Sequence, residues 1–259
     1  MINKYSFDAG EAIKTVVTQW KGWASKNNMK TAVLGMSGGC DSYVCAAFAA
    51  RVFGKENVIG VMMPNGRQPD IDDAKEAIKD LGIMSTTIDI ADTYDTLLGE
   101  VEYMFNRPVQ NRSKVNLAPR LRMATLYAIA QSCDNACVVT TGNLSEALLG
   151  YTTMWGDMAG DYAPISGFVK SEVRVMGIAM GLDGDLVMKK PSDGLSGKTD
   201  EDAFGFSYDE FDKAIRTGAW NDDLISKAIP RIKASMFKQP VLRAIASPNI
   251  DLPLIAPER

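Results

Sequence analysis

The chain has 259 residues, 46% of them hydrophobic, and a formal net charge of −4. This acidic balance argues against a nucleic-acid binder that relies on a broad basic face. Neither a signal-type start nor a membrane-length apolar run is present, so we expect a cytoplasmic protein that does not enter a membrane. With no histidine, the chain cannot itself supply Ser-His-Asp, Cys-His or His-metal chemistry. A metal ion here should be a hard cation on oxygen ligands, which means Mg²⁺ when phosphates are present.

Strand-like runs alternate with helix-like runs through the first 141 residues. Apolar or alternating stretches typical of strands occur at 31–34, 58–63, 85–90 and 136–141. Helical patterns are interleaved with them at 42–53, 70–81, 93–105 and 117–132. This alternation predicts an α/β fold with a doubly wound, mostly parallel sheet flanked by helices. Ligands of such sheets bind at the carboxyl ends of the strands.

The second part of the chain combines long loops with helices. Two segments rich in Gly and Asp, at about 150–163 and 189–206, are predicted to be loops, and loops of this length are usually functional or disordered. Helices are predicted at 170–180, 207–216 and 221–233. No segment reads as a linker between independent domains. Residues 1–259 are therefore predicted to form a single domain, with both loops over the site.

The most informative motif follows the first strand, where residues 35–42 read Gly-Met-Ser-Gly-Gly-Cys-Asp-Ser. Asp41 and Ser42 are good capping types, so a helix is predicted to start there. A Gly-rich turn at a helix N-terminus presents backbone N–H groups that bind phosphate. The Walker A and G-x-G-x-x-G fingerprints do not fit, because the required Lys and the glycine spacing are missing. The remaining pattern, S-G-G-x-D-S, resembles the pyrophosphate loop of N-type ATP pyrophosphatases, which cleave ATP between its α and β phosphates.

Further motifs follow in one collinear order: N-x-x-x-R-x-R-M at 116–123, T-G-N-x-S-E at 141–146, G-D-x-x-x-D at 156–161, and Lys170. Over roughly residues 10 to 240 the chain resembles the ammonia-dependent NAD synthetases. The resemblance implies an adenine nucleotide α-hydrolase-like fold. It also implies a reaction in which the carboxylate of deamido-NAD attacks the α-phosphorus of ATP and ammonia then displaces AMP. Members of this family form homodimers that bind the second substrate across the interface.

The resemblance assigns the ATP and metal contacts residue by residue. The ATP-binding positions are Ser37, Gly38, Gly39, Cys40, Asp41, Ser42, Gln68, Thr141, Lys170 and Ser192. Asp41 and Glu146 match the Mg²⁺ carboxylates, which come from different strand ends, as an ion shared with phosphates requires. Cys40 fills the variable place of the loop, where the helix N-terminus could activate its thiol.

The resemblance also assigns the second substrate and the catalytic residues. Arg120, Asp161 and Lys238 match contacts to deamido-NAD, whereas Arg122 is interpreted as structural. Lys170 and Asp157 are the predicted catalytic residues. Ammonium must lose a proton before it attacks, and in a chain without histidine we assign that proton to the Asp157 carboxylate.

Departures from the family leave some alternatives open. Met154 stands where the family commonly has Lys, and Met158 and Ala159 stand where glycines are usual. These changes concern the deamido-NAD half of the site. The Met-rich stretch 154–158, like Trp20 and Trp23, would suit either a dimer interface or the core. The alternative functions are another N-type ATP pyrophosphatase, such as a tRNA-modifying lysidine synthetase or thiolase, and a non-catalytic nucleotide-binding module. The chain has no room for a second catalytic domain of amidase type, so we expect it to use free ammonia unless a partner supplies it.

Overall fold

The computed structural model describes residues 6–68, 70–189 and 199–238. Within these residues the sheet has four strands: β1 (Thr31–Gly35), β2 (Val58–Met62), β3 (Met84–Thr87) and β4 (Ala136–Val139). They lie in the order β3-β2-β1-β4, and every neighbouring pair is parallel. The predicted doubly wound parallel sheet is confirmed. The strand order changes direction beside β1, which places the loop after β1 at the position where such sheets bind ligands.

The helices occupy both faces of the sheet and most of the second half of the chain. Their bounds are α1 (Ala9–Lys26), α2 (Cys40–Phe53), α3 (Ile71–Leu81), α4 (Ala91–Phe105), α5 (Asn111–Gln131), α6 (Leu144–Leu149), α7 (Lys170–Ala179), α8 (Gly184–Met188), α9 (Asp200–Phe204), α10 (Tyr208–Thr217) and α11 (Asp222–Ser235). Short 3₁₀ turns occur at Lys55–Asn57 and Met236–Lys238.

Three differences from the sequence prediction have local causes. Helix α5 starts six residues before the predicted 117 and continues through Pro119, although an internal proline removes one helical hydrogen bond. Helix α6 was not predicted, because six residues are too few to show a periodicity. Part of the predicted loop 189–206 is wrong, since α9 lies within it. Thr199 caps that helix by accepting a hydrogen bond from the Asp202 N–H at 3.1 Å, and Asp202 completes a capping box.

The central strand β1 is buried on both faces, and its three inner residues, 32–34, are apolar. Ala32 and Leu34 of β1 pack into a core with helices α1, α2 and α7, whereas Val33 points into a second core beneath α5. A third core joins α6, α10 and α11. Trp20 belongs to the first core: it is fully buried and stacks on Tyr162 with a ring-centroid distance of 4.7 Å. Trp20 is therefore a core residue and does not belong to a dimer interface.

The edge of the sheet formed by β3 is less covered by helices than the central strands. All four residues of β3 are exposed, and α4 has no buried residue as far as the described chain shows. Near the end of α4, Tyr103, Met104 and Phe105 are 87%, 68% and 54% exposed. This edge therefore presents a large apolar surface. None of the described helices combines the length and the apolar character needed to cross a membrane.

Candidate active site

The phosphate loop connects β1 to α2, and its shape is set by Gly38 and Gly39. Gly39 takes the N-cap position in extended conformation without a side-chain cap, so α2 starts at Cys40. The predicted start at Asp41–Ser42 is therefore wrong by one or two residues. Because Gly39 occupies the N-cap position, the Asp41 carboxylate is not used there and is available for other contacts. Gly38 has φ +86°, and a Cβ there would lie 2.4 Å from the carbonyl oxygen of Asp70, so only glycine fits.

Two serine hydroxyls brace this loop from inside. Ser42 Oγ donates to the Gly39 carbonyl at 2.9 Å, and Ser37 Oγ accepts from the Gly39 N–H at 3.2 Å. The two hydroxyl oxygens lie 3.2 Å apart. Gln68, from the connection between β2 and α3, donates to the Ser37 carbonyl at 3.1 Å. The structure thus brings the predicted ATP-binding residues of the loop and Gln68 together.

A cluster of three charged side chains lies beside the loop. The Lys170 ammonium at the start of α7 forms an ion pair with Asp41 and lies 3.7 Å from Glu146 Oε1. These side chains are 5%, 14% and 18% exposed respectively. The first residues of three helices thus meet here and bring one ammonium and two carboxyl groups together. Lys170 was predicted to face a phosphate, and its ammonium is already held at the first turn of α2.

Residues that would hold a metal ion are present in this cluster. Asp41 Oδ1 is buried and accepts no hydrogen bond from any described residue, so one lone-pair face of this carboxylate is available. Mg²⁺ in phosphate sites is held by one or two carboxylates together with phosphate oxygens and water. Among the described residues, no group of three or more Cys, Asp or Glu side chains could hold a metal alone. Asp41 and Glu146 therefore fit an ion that is shared with a nucleotide.

The burial of the cluster determines its protonation. Burial raises the pKa of Glu146, and the charge of Asp41 raises it further, while Lys170 opposes both. Burial acts to lower the pKa of Lys170, but Asp41 and Glu146 outweigh this effect and raise it, so the ammonium stays charged. Burial also raises the pKa of the Cys40 thiol to about 12, and the neighbouring Asp41 adds to the shift. The idea that the helix N-terminus activates this thiol is therefore wrong.

The segment from α6 to Tyr162 carries the predicted ammonia site. Asp157 Oδ1 accepts from the Thr153 N–H at 2.6 Å, and its backbone carbonyl accepts from Thr140 Oγ1 at 2.7 Å. Dense surrounding protein raises the pKa of Asp157, partly offset by the Thr153 hydrogen bond. The side chain nevertheless remains exposed to solvent. Asp157 is a solvent-accessible carboxylate whose affinity for a proton is raised.

The residues predicted to contact the second substrate all anchor parts of this loop. Asp161 accepts from the Tyr127 hydroxyl at 3.1 Å and from the Val138 N–H at 2.8 Å. Arg120 Nε donates to the Met154 carbonyl at 3.2 Å. Lys238 Nζ donates to the carbonyls of Gly150 and Thr152 at 2.8 and 2.5 Å. Thr141 is the second residue after β4 and is half-buried, whereas Ser192 lies outside the described residues.

Two residues of the site were not assigned a functional role from the sequence. Asn143 is fully buried and caps α6: its Oδ1 accepts from the Glu146 N–H at 3.0 Å, and its Nδ2 donates to Asp41 Oδ2 at 3.3 Å. It therefore links the two carboxylates. The spacing N-x-x-E within T-G-N-x-S-E, which fits a capping box, was the signal that could have revealed it. Arg122 Nε donates to the Met63 carbonyl at 2.9 Å, in agreement with a structural role, but its charge also acts on Asp157.

The parallel sheet, the glycine loop after β1 and the acidic residues at neighbouring strand ends define a nucleotide-binding α/β fold of the adenine nucleotide α-hydrolase type. The family model described as NAD synthase matches residues 12–244. The chain belongs to this family.

Individual relatives agree with this assignment. A relative from Finegoldia magna named NH(3)-dependent NAD(+) synthetase is 38% identical over 229 residues, which cover 86% of this chain and 91% of the relative. The solved structure of an NMN synthetase from Francisella tularensis has a TM-score of 0.80 and 31% identity, covering 95% of this chain and 100% of that one. An NH3-dependent NAD synthetase from Campylobacter jejuni has a TM-score of 0.74 and 27% identity, covering 90% and 97%. The predicted ammonia-dependent NAD synthetase, a ligase that forms a carbon–nitrogen bond and uses ATP, is confirmed over its alternatives.

Proposed function

We propose that the protein converts deamido-NAD to NAD in two steps, with ATP, Mg²⁺ and free ammonia, and that the residues described above divide these steps between them. The observation that carries the proposal is the meeting of the glycine loop with Asp41, Glu146 and Lys170 at the strand ends. A carboxylate does not accept ammonia until its oxygen has become part of a leaving group. The site must therefore bind a nucleotide and present its α-phosphorus to the acid.

In the first step, an oxygen of the acid carboxylate attacks the α-phosphorus of ATP, the bond to the β-phosphate breaks, and pyrophosphate leaves. Backbone N–H groups at the start of α2 bind the pyrophosphate, aided by the positive end of the helix dipole. Asp41 and Glu146 would hold Mg²⁺, which would supply positive charge to the phosphates. With both carboxylates engaged in this way, the Lys170 ammonium would be free to donate to a phosphate oxygen. Positioning and charge neutralisation supply most of the catalysis in such transfers.

In the second step, ammonium binds beside Asp157 and gives it a proton. The ammonia formed attacks the carbonyl carbon of the adenylate, a carbon–nitrogen bond forms, the carbon–oxygen bond to AMP breaks, and AMP leaves. The nitrogen releases its surplus proton to solvent, which leaves the neutral amide. Two features of Asp157 support this role: its carboxylate is accessible to solvent, and desolvation by the surrounding protein raises its pKa towards the range useful for a base. Lys238 and Arg120 would hold the loop that carries Asp157 while the second substrate is bound.

The proposed enzyme is a homodimer that works in the cytoplasm, where its co-substrate ATP is found. The apolar surface at the end of α4 supports the dimer, because exposed patches of this kind on globular proteins usually mark interaction sites. Tyr103, Met104 and Phe105 lie at the end of α4, and Val115 of the following helix α5 is also 53% exposed. Light scattering coupled to size exclusion tests this part, and a monomer at micromolar concentration would contradict it.

A second acid substrate, nicotinate mononucleotide, is favoured by two observations. One is the likeness to the Francisella tularensis protein named NMN synthetase. The other is Met154, which removes one cationic side chain from the deamido-NAD half of the site. The mononucleotide undergoes the same two steps but lacks the adenylate half of deamido-NAD, so it needs fewer contacts outside the reacting centre.

One experiment decides between these functions. The purified protein is incubated with ATP, Mg²⁺ and ammonium, together with deamido-NAD, nicotinate mononucleotide or no acid, and nucleotides are separated by chromatography. AMP with NAD supports the primary proposal, and AMP with nicotinamide mononucleotide supports the second candidate. Formation of ADP, or AMP formation that requires tRNA, would refute both.

A further inference from the structure

The start of helix α7, which carries Lys170, is capped by side chains from other helices. The residue at its N-cap, Val169, has no side-chain acceptor, so the first N–H groups of the helix need partners elsewhere. The Lys170 N–H donates to Ser145 Oγ of α6 at 3.0 Å, and the Ser171 N–H donates to Asp212 Oδ2 of α10 at 2.7 Å. Ser145 Oγ in turn donates to Asp212 Oδ1 at 2.5 Å.

The N–H groups of residues 170 and 171 and the side chains of Ser145 and Asp212 thus form a closed and buried hydrogen-bond relay. Asp212 is 2% exposed and Ser145 is fully buried. A carboxylate at a helix N-terminus is also favoured by the helix dipole. The Asp212 carboxylate therefore holds residue 171 of α7 directly. It holds residue 170 indirectly, through the hydroxyl of Ser145, which is the neighbour of Glu146 in the chain.

We propose that Asp212 is a positioning residue: through Ser145 and the first turn of α7, it determines where the Lys170 ammonium lies relative to Asp41 and Glu146. The ring of Tyr208, at the first residue of α10, supports the same ammonium from a distance of 5.8 Å. Asp212 itself touches neither the loop nor the metal carboxylates by any hydrogen bond that the structure shows. This inference rests on the proposed role of Lys170 in binding ATP phosphates.

The chain offers a matched control on the same two helices. Arg216, one turn further along α10, forms a bidentate ion pair with Glu172 of α7 and donates to the Gly167 carbonyl at 2.8 Å. It anchors the same end of α7 and is half-buried, but it makes no hydrogen bond to residue 170. Loss of Arg216 should therefore lower stability without displacing the ammonium.

The test compares Asp212→Asn, Ser145→Ala and Arg216→Gln by the exchange of labelled pyrophosphate into ATP, which reports the first step without ammonia. We expect Asp212→Asn and Ser145→Ala each to lower kcat at least ten-fold while KM for ATP changes less than three-fold. Arg216→Gln should keep more than a third of the wild-type kcat, even if its melting temperature falls as far as those of Asp212→Asn and Ser145→Ala. A loss of less than ten-fold in both relay variants, or an equal loss in Arg216→Gln, would overturn the proposal. If Asp212→Asn does not fold, Ser145→Ala decides alone.

A second measurement separates this inference from the proposed function. A double-mutant cycle between Asp212→Asn and Lys170→Met is followed by urea denaturation, which requires no activity. If Asp212 positions the ammonium, its loss already weakens the contacts of Lys170, and the two changes are non-additive by at least five-fold in the unfolding equilibrium constant. Additive effects would refute the positioning role. Absence of exchange by the wild-type protein with either acid would refute the proposed function and leave this cycle interpretable.

Discussion

Replacing Lys170 with Met tests the charged cluster directly, because Met keeps much of the side-chain volume and removes the charge. The cluster then loses its ammonium, and the carboxyl groups of Asp41 and Glu146 face each other without a counter-ion. Removing one partner of a buried ion pair costs about 3–5 kcal/mol. Asp41 and Glu146 are 14% and 18% exposed, so water screens part of this penalty. We therefore expect the lower end, about 3 kcal/mol, which corresponds to a fall in Tm of roughly 6–12 °C for a chain of this size.

The assay is urea denaturation at pH 7.5 in EDTA, with thermal unfolding as a second probe. Lys75→Met is the control, since Lys75 pairs with Asp72 at 2.8 Å on an exposed surface and exposed pairs contribute little. Millimolar Mg²⁺ should stabilise Lys170→Met more than the wild type, because the cation replaces the missing charge. A loss of stability below about 1 kcal/mol in EDTA would mean that the three groups do not form a coupled buried cluster.

Three further predictions concern the same site. Asp41→Asn and Glu146→Gln should each abolish AMP formation while the circular dichroism spectrum is unchanged; near-normal activity of either would remove that residue from the metal site. Asp157→Asn should slow amidation more than adenylation, and equal loss would leave it only a role in shaping the pocket. Because the folded-state pKa of Asp157 is raised, its charged form disfavours the folded state, so Asp157→Asn should be the more stable protein at pH 7 and lose this advantage as the pH falls towards 4. Gly38→Ala should weaken ATP binding and lower Tm. Gly66→Ala is the control, because Gly66 has φ +71° but no described atom lies within 4 Å of its added Cβ, and it should lower Tm only. Equal ATP affinity of the two variants would exclude the steric explanation.

Much of the local structure follows from patterns within the chain. The apolar run Ala32–Leu34 requires burial on both sides, and a strand between two helical layers provides it. Helices α3, α10 and α11 lie within one or two residues of their predicted bounds, because caps and apolar periodicity are local signals. Residue chemistry also limited the metal chemistry, since a chain without histidine has only oxygen and sulfur ligands.

The arrangement of the site, in contrast, depends on contacts between distant segments. Asp41, Glu146 and Lys170 were predicted as separate motif positions, but only the tertiary structure brings the ammonium onto the two carboxylates across 129 positions of the chain. Burial raised the pKa of Cys40 and so overturned the expectation based on the helix N-terminus alone. Asp212 carries no motif at all, and it reaches α7 and α6 because α10 packs against both of those helices. Residue types and short spacings thus determine which chemistry is available, whereas burial and proximity, which arise when helices from different parts of the chain pack together, determine which charges meet and which protons are held.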